Sequence, residues 1–183
     1  MFRWGPVCPA VPVVLLTLAG TPVAAQQPRI RPSQRATVTQ RIGFTEVTIL
    51  WSRPAARGRT PFPDVVRWGR VWAAGADTAT RITFEHDVLL AGHEVAAGTY
   101  SVWLIPVETG PWTFILSRAT PVWHLPYPGE AEDALRFEAH AETGPHMESL
   151  AWYFPMVDGD SAEVRMHWGE TMVPVRLVAP WRP

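Results

Sequence analysis

The sequence predicts an all-β protein: a single-domain antiparallel β-sandwich, jelly-roll-like or immunoglobulin-like, with about nine short strands and few helical turns. Three observations predict this class. Apolar and polar residues alternate with period two in run after run, sustained helical periodicity is nearly absent, and turn signals separate the runs at regular intervals. No segment repeats at a fixed period, which argues against a propeller or a solenoid.

Each strand-like run places apolar side chains on one face and its alternating neighbours on the other. The apolar faces, in chain order, are Val47, Ile49 and Trp51; Ile82 and Phe84; Trp112, Phe114 and Leu116; Leu135, Phe137, Ala139 and Ala141; Ala162, Val164, Met166 and Trp168; and Val173, Val175 and Leu177. We expect these residues to form the core. Their neighbours, among them Ile115, Ser117, His140 and His167, are expected on the opposite, outward faces.

The connections follow from turn-forming residues. Turn signals fall at 91–98, 108–111, 158–160 and 169–170, and short helical turns are expected near 63–66 and 130–135. One run, residues 99–107, is apolar on both faces, which indicates a central strand that is covered on both sides.

The N-terminus has the pattern of a secretory signal peptide. Arg3 precedes an apolar run at 11–20, and small residues at Val23 and Ala25 predict cleavage before Gln26. The run is shorter than the roughly 20 residues that a membrane span needs. We therefore expect a signal peptide at 1–25, a linker at 26–35, the sandwich at 36–179 and a short tail at 180–183. The mature protein is expected to be secreted or periplasmic, with no membrane span.

Composition excludes several classes of function. The only cysteine, Cys8, lies in the predicted signal peptide, so the exported chain has no disulfide and no thiolate chemistry. All 16 basic residues are arginine, and loss of Arg3 leaves 15 arginines against 17 acidic residues, a net charge of −2. A chain without a basic field is not expected to bind nucleic acid. We expect no cofactor.

Three stretches, residues 52–59, 69–106 and 112–118, resemble a bacterial family of secreted proteins catalogued as domain of unknown function 2911. The similarity covers nearly the whole mature chain and implies an exported β domain, but it brings no established activity. Two residues depart from the family pattern. Ala73 stands where the pattern has an arginine, and Asp77 stands where it has an asparagine.

The stretch WSRPAARGR, residues 51–59, carries three arginines in a segment broken by proline and glycine. Guanidinium groups bind phosphate, sulfate or carboxylate through two parallel hydrogen bonds, so this stretch is a candidate anion site. The alternative, which we favour, is an internal clamp in which arginines hold a long connection through carboxylates or backbone carbonyls. A clamp predicts that Arg53 and Arg59 are mostly buried and Arg57 exposed.

A second candidate site lies in the proline-rich segment 119–130. It carries Trp123, His124 and Tyr127, and aromatic side chains on a stiff loop suit the binding of a sugar or a peptide. The alternative is a hydrophobic flap over one end of the sandwich. Together with the arginine stretch, the ligand-binding candidates are Arg53, Arg59, Trp72, Asp77, Trp123, His124 and Tyr127.

Catalytic and metal-binding patterns are weak. No Gly-x-Ser-x-Gly elbow or cysteine nucleophile is present, and no pair of histidines has the spacing of a zinc protease, so no catalytic residue is assigned. If their strands pair in register, His140 and His167 would face each other across a sheet and could bridge a metal. Two separate surface histidines are the simpler interpretation.

These patterns favour an exported β-sandwich that acts as a binding or envelope-associated module, with a small molecule, a sugar or an envelope protein as its partner. A second hypothesis is a hydrolase or lyase for a small or carbohydrate substrate, with a cleft formed by Arg53, Arg59, Trp72, Trp123 and His124. A third is a structural accessory subunit that docks through an exposed strand edge.

Overall fold

The period-two runs fold as β-strands in the computed structural model, which describes residue 1 and residues 30–180. Two compact units are distinguished, Met1–Ile30 and Arg31–Pro183, and every strand belongs to the second. Apart from Met1, the predicted signal peptide lies outside the described residues, and so do residues 26–29 of the predicted linker and residues 181–183 of the tail. None of the helices in the described part is long and apolar enough to cross a membrane.

Ten strands form two antiparallel sheets, which confirms the all-β sandwich. The strands are β1 Gln34–Ile42, β2 Thr45–Arg53, β3 Arg81–Phe84, β4 Val88–Leu90, β5 His93–Val95, β6 Gly98–Ile105, β7 Trp112–Ser117, β8 Asp133–Ala139, β9 Glu142–Asp158 and β10 Ser161–Val178. The larger sheet has the order β1-β2-β3-β6-β7-β8, and the smaller has the order β5-β4-β10-β9. A helical turn lies at Glu130–Glu132, within the predicted range 130–135. Near the other predicted position, the Val66 amide donates to the Pro61 carbonyl and closes a turn over Pro61–Val65, in which Phe62 is extended and not helical.

The first strand begins earlier than the predicted domain boundary. Gln34 and Arg35 are already part of β1 and pair with Arg53 and Ser52 of β2, so the end of the predicted linker is strand.

The core lies between the two sheets and is built from the predicted apolar faces. Every predicted inward residue of β2, β3 and β10 is buried, and so are Phe114 and Phe137, whose rings stack at 4.9 Å. Ala141 is an exception, since it is exposed in the link between β8 and β9. Burial of large apolar side chains on both inner faces accounts for the stability of a sandwich that has no disulfide.

The larger sheet is covered on its outer face as well, which the sequence did not predict for β7. Ile115 and Ser117, expected outside, are completely buried. A second apolar cluster covers this face, formed by Ala73, Ala79, Trp103 and Ile115, with Val122 and Tyr127 packed against it. The segments before β3 and after β7 therefore supply the cover for β6 and β7, and the central strand predicted at 99–107 corresponds to β6.

The smaller sheet contains two long strands, β9 with 17 residues and β10 with 18, where the sequence predicted only short ones. The predicted turn at 169–170 is wrong, because β10 continues through it. Gly169 has a φ of +60° and lies where the register with β9 shifts, so the glycine forms a β-bulge. The hairpin turn predicted at 158–160 is present between β9 and β10.

Candidate functional site

The arginine stretch leaves β2 and pairs with the edge of β9. The Ala56 amide donates to the Glu148 carbonyl at 2.8 Å, and the Leu150 amide donates to the Pro54 carbonyl at 2.9 Å. An isolated bridge between Ala55 and Ser149 completes the pairing. These bonds join the two sheets and satisfy backbone groups that would otherwise be free at the edge of β9.

The three arginine side chains contribute unequally to this contact. Arg53 is half-buried and its Nε donates to the Leu150 carbonyl at 3.1 Å, an oxygen that also accepts from the Trp51 indole at the same distance. Arg59 is exposed, which corrects the prediction that it is buried. Its guanidinium donates to carbonyls of its own loop, Ala56 at 3.0 Å and Ala55 at 3.3 Å, because the loop follows the surface after Ala56.

Arg57 is exposed, as a clamp predicts, and takes part through its backbone. Its amide donates to the Glu148 carboxylate at 2.8 Å. That hydrogen bond, followed by one from His146, lowers the pKa of Glu148. The stretch thus has the contacts of a clamp formed mainly by backbone groups, with carbonyls rather than carboxylates as the partners of Arg53 and Arg59.

The segment after Gly69 precedes β3 in the chain and pairs with the part of β6 that lies past the first residue of β3. The amide and the carbonyl of Trp72 each bond to Leu104 of β6 at 2.8 Å. The Trp72 indole N–H then donates to the Gly75 carbonyl at 3.0 Å, which closes a tight loop. A side chain at Gly75 would meet the Thr80 hydroxyl at 2.7 Å, so glycine is required there.

This loop is bound to both sheets. The Ala74 carbonyl accepts from the Thr80 hydroxyl at 2.8 Å and from the Trp152 indole of β9 at 3.2 Å. Ala74 and Asp77 have φ values of +51° and +58°, a left-handed backbone that costs free energy in residues other than glycine. Such conformations persist only where surrounding contacts enforce them, and they are enriched at functional sites.

His124 is docked on the same loop. Its amide donates to the Asp77 carbonyl at 2.9 Å, and its Nδ1 lies 2.7 Å from the same oxygen. Because a carbonyl only accepts, we assign the ring proton to Nδ1. The other ring nitrogen, Nε2, has no hydrogen-bond partner within residues 30–180.

The remaining aromatic candidates, Tyr127 and Trp123, have different surroundings. Tyr127 packs edge-on against Trp103 at 5.2 Å and hydrogen-bonds Asp133 and Arg136. Burial and, next, the Asp133 carboxylate raise the pKa of Tyr127. Trp123 is 48% exposed, and the Arg31 guanidinium lies 5.6 Å above its ring.

The sequence RWGR at 67–70 forms a feature that the sequence analysis missed. The Arg70 amide donates to the Arg67 carbonyl at 3.3 Å, and Gly69 has a φ of +71°, so the four residues form a β-turn. The Gly69 amide donates to the Pro106 carbonyl at 2.7 Å. Trp68 stacks on Phe62 at 5.8 Å. The signal that could have indicated this turn is the order of its residues, with a glycine at the third position and an arginine at each end.

A cleft of about 500 Å³ lies between this turn, the loop at residues 72–77, which we call the Trp72 loop, and residues 124 and 125 of the proline-rich segment. We call it the Trp72 cleft. Its apolar lining includes Val65, Val66, Val71, Leu125, Trp72 and Trp168, and its polar side chains are Arg67, Arg70, Asp77 and His124. The rings of Trp72 and Trp168 are stacked, 5.8 Å apart at 25°. The Trp168 indole nitrogen is fully covered and has no hydrogen-bond partner among the described residues.

The Trp72 cleft unites three of the seven ligand-binding candidates, Trp72, Asp77 and His124. The other four, Arg53, Arg59, Trp123 and Tyr127, do not line it. Arg59 instead lines a separate pocket of about 470 Å³ together with His146, Glu148 and Glu170. Its guanidinium is bonded to loop carbonyls there, and two carboxylates line the same pocket, which makes it unsuited to an anion.

The proposed histidine pair is not formed. His167 lies opposite Ala151 of β9, and His140 is exposed after the end of β8. His167 was expected on the surface, but it is buried. Both of its ring nitrogens have partners there: Nε2 lies 2.8 Å from the Pro145 carbonyl oxygen, and Nδ1 lies 3.3 Å from the Tyr153 hydroxyl. Within residues 30–180, no group of three or more histidine, cysteine or acidic side chains could hold a metal ion.

Fold and site together define an antiparallel β-sandwich with a preformed cleft at the end of its larger sheet. The chain belongs to the family of proteins of unknown function DUF2911, whose sequence profile matches residues 33–177. The match begins one residue before β1 and ends within β10, so it covers all ten strands. No curated protein and no solved structure matches the chain.

Proposed function

We propose that the protein is an exported binding module that holds a small molecule in the Trp72 cleft. The observation that carries this proposal is the exposure of large apolar side chains in a concave site. Val65 is 36% exposed and Leu125 is 61% exposed, and both line the cleft beside Trp72. Apolar surface in a cleft is covered favourably by a ligand, and the volume of about 500 Å³ is typical of small-molecule sites, which span roughly 300–1,000 Å³.

The rigidity of the walls supports the same function. The Trp72 loop is hydrogen-bonded to β6 and, through Ala74, to Trp152 of the smaller sheet. His124 is held by two contacts with one carbonyl. A site whose walls are fixed before binding loses little conformational entropy when a ligand enters.

Docking through either edge of the smaller sheet has less support. The edge of β9 is paired with residues 54–56 over its centre, and β5, at the other edge of the smaller sheet, has three residues. Short or capped edges are how sandwiches avoid edge-to-edge pairing.

A binding experiment tests the proposal directly. Mature protein, residues 26–183, is screened by thermal shift against sugars, short peptides, aromatic amides and aromatic acids, and each hit is titrated by calorimetry. Leu125→Ser should weaken binding of the hit at least several-fold, because it removes apolar wall. Met156→Ser is the matched control, since Met156 is 57% exposed and does not line the cleft. The proposal would be contradicted if no compound bound, or if the hits bound Leu125→Ser as tightly as they bind wild type.

A second candidate function is a lyase or hydrolase that uses the same cleft. The observation in its favour is His124, whose Nδ1 bonds the Asp77 carbonyl while Nε2 is unpartnered among the described residues, the arrangement of a general base. Incubation of each hit with wild type and His124→Gln, followed by mass spectrometry, separates the two functions. Turnover that His124→Gln abolishes supports the enzyme, and unchanged ligand in both samples supports the binding module.

A further inference from the structure

The two arginines of the RWGR turn are placed to act together. In a β-turn the Cα atoms of the first and fourth residues lie within about 7 Å of each other, so Arg67 and Arg70 project from neighbouring positions. Both are exposed and both line the Trp72 cleft. Neither guanidinium has a hydrogen-bond or ion-pair partner in the part of the chain that the structure describes. Two like charges held together repel each other, and an anion between them relieves that repulsion.

The charge balance of the cleft favours an anion. Asp77 is the acidic residue among its lining side chains, and the Arg31 guanidinium lies 3.5 Å from the Asp77 carboxylate. That pair offsets its own charge, which leaves the two positive charges of Arg67 and Arg70. The protein as a whole has a net charge of −1, so the positive charge belongs to this site and is not general.

The wall beside the arginines is apolar and flat. Trp72 is half-buried, stacked on Trp168, with Val71 and Leu125 also in the lining. An indole face offers contact area to a planar or ring-shaped group. A ligand with an anionic group at one end and an apolar ring at the other would match both parts of the cleft.

We infer that the ligand of the Trp72 cleft is a small organic anion, with a carboxylate or phosphate group bound by Arg67 and Arg70 and an apolar ring packed against Trp72. The inference rests on the proposed binding function and specifies the chemistry of its ligand. Guanidinium groups bind both carboxylate and phosphate through paired hydrogen bonds, so the two headgroups share one mode of recognition.

Matched probes test the inference. Calorimetry compares benzoate with benzamide and indole-3-acetate with indole-3-acetamide, and it compares phenyl phosphate with inorganic phosphate. We expect the acids to bind at least about tenfold more tightly than their neutral amides, since one charge-assisted hydrogen bond accounts for about that factor. Phenyl phosphate measured against the carboxylates shows which headgroup is preferred, and inorganic phosphate should bind weakly because it has no ring. Added salt should weaken binding of the acids.

Variants of exposed residues localise the effect. Arg67→Gln and Arg70→Gln should each weaken acid binding about tenfold and leave the melting temperature of the free protein unchanged. Arg35→Gln, an exposed arginine of β1 outside the cleft lining, is the control and should bind as wild type does. Amides that bind as tightly as acids, or acids that bind both arginine variants normally, would overturn the inference while the binding function stands. If neither acids nor any neutral compound binds, both proposals fail.

Discussion

A single residue, Asp77, shows how a side chain is accommodated where the backbone is left-handed. Its φ of +58° is a conformation that asparagine and aspartate adopt more readily than other residues with side chains. Either residue therefore fits the backbone at this position, and the aspartate adds a charge that pairs with Arg31 at 3.5 Å.

Substitution of Asp77 separates the backbone requirement from the charge. Asp77→Asn should change the free energy of unfolding by less than about 0.5 kcal/mol, because an ion pair with a partner as exposed as Arg31 contributes little. Asp77→Ala should cost about 1–2 kcal/mol, since alanine resists the left-handed region. Urea unfolding of the two variants measures both values. Equal costs would show that the backbone conformation at Asp77 is not what limits the choice of residue.

Phe114 tests the assignment of the inner face. Phe114 is 1% exposed. Its ring centroid lies 4.9 Å from that of Phe137 and 6.4 Å from that of Trp152 in the opposite sheet. Phe114→Ala should lower the free energy of unfolding by about 3–5 kcal/mol through lost contacts and a residual cavity. Thr113→Ala, one position away on the other face, is the control and should cost less than about 1 kcal/mol. A similar small cost for Phe114→Ala would mean that the ring is not in the core.

Period-two alternation was sufficient to predict the inner faces, since every second residue of a strand meets the same environment. It failed for Ile115 and His167 on the outer faces, where burial depends on what else covers the sheet. Val122 and Tyr127 cover the region of Ile115, and the Pro145 carbonyl contacts His167. These covering groups come from outside the strand that they cover, and the alternation within a strand carries no information about them.

Among the elements, the arginine stretch is expected to stabilise the sandwich mostly through its backbone. Arg53→Ala should cost about 0.5–1.5 kcal/mol, because it removes one hydrogen bond to the Leu150 carbonyl, which keeps its bond from Trp51. Arg59→Ala should cost less than about 0.5 kcal/mol, since the side chain is exposed and bonds only its own loop. Denaturant unfolding gives both values. A larger loss of stability for Arg59→Ala would favour the anion site instead. So would a result in which sulfate stabilises the wild-type protein but does not stabilise Arg53→Ala.

Gly169 in the bulge of β10 can be compared with Gly159 in the turn between β9 and β10. Gly169 and Gly159 have φ values of +60° and +59°, but a Cβ at Gly169 would lie 2.8 Å from the Pro61 ring and a Cβ at Gly159 would meet nothing within 4 Å. Gly159→Ala should therefore cost about 1–2 kcal/mol for the backbone alone. Gly169→Ala should cost at least about 1 kcal/mol more, because the buried Pro61 ring must move. Equal losses of stability on chemical unfolding would show that the contact with Pro61 is not tight.

The same glycine explains why the sequence did not predict the long strands. A glycine followed by a polar residue at 169–170 is the local signal of a turn, and a left-handed glycine serves a turn and a bulge equally well. What distinguishes them is the partner strand. β9 continues opposite this point, with Met147 paired to Gly169, so β10 continues too.

At the scale of the whole molecule, the Trp72 cleft combines segments that are far apart in the chain. Arg67 and Trp72 precede β3, His124 follows β7, and Trp168 belongs to β10. The sequence-based candidates included Trp72, Asp77 and His124 of this cleft, but the arginines among them were Arg53 and Arg59, and Arg67 and Arg70 were not considered. The choice depends on which loops meet at one end of the sandwich, and strand order, which the sequence did not specify, determines that.

The extent of the folded unit leads to a prediction about export. The ten strands that the structure describes lie within residues 34–178, so removal of a signal peptide at 1–25 would leave each of them intact. Protein isolated from the periplasm or medium of a producing host should begin near Gln26 by mass spectrometry, because a short apolar run with small residues at its end directs cleavage there. The chain 26–183 should melt as one β-sheet domain in circular dichroism. A chain that starts at Thr37 should melt several degrees lower, since it loses the pairing of Gln34, Arg35 and Ala36 with β2. Intact Met1 in a membrane fraction would contradict export with cleavage, and equal melting of the two chains would contradict the place of β1 in the fold.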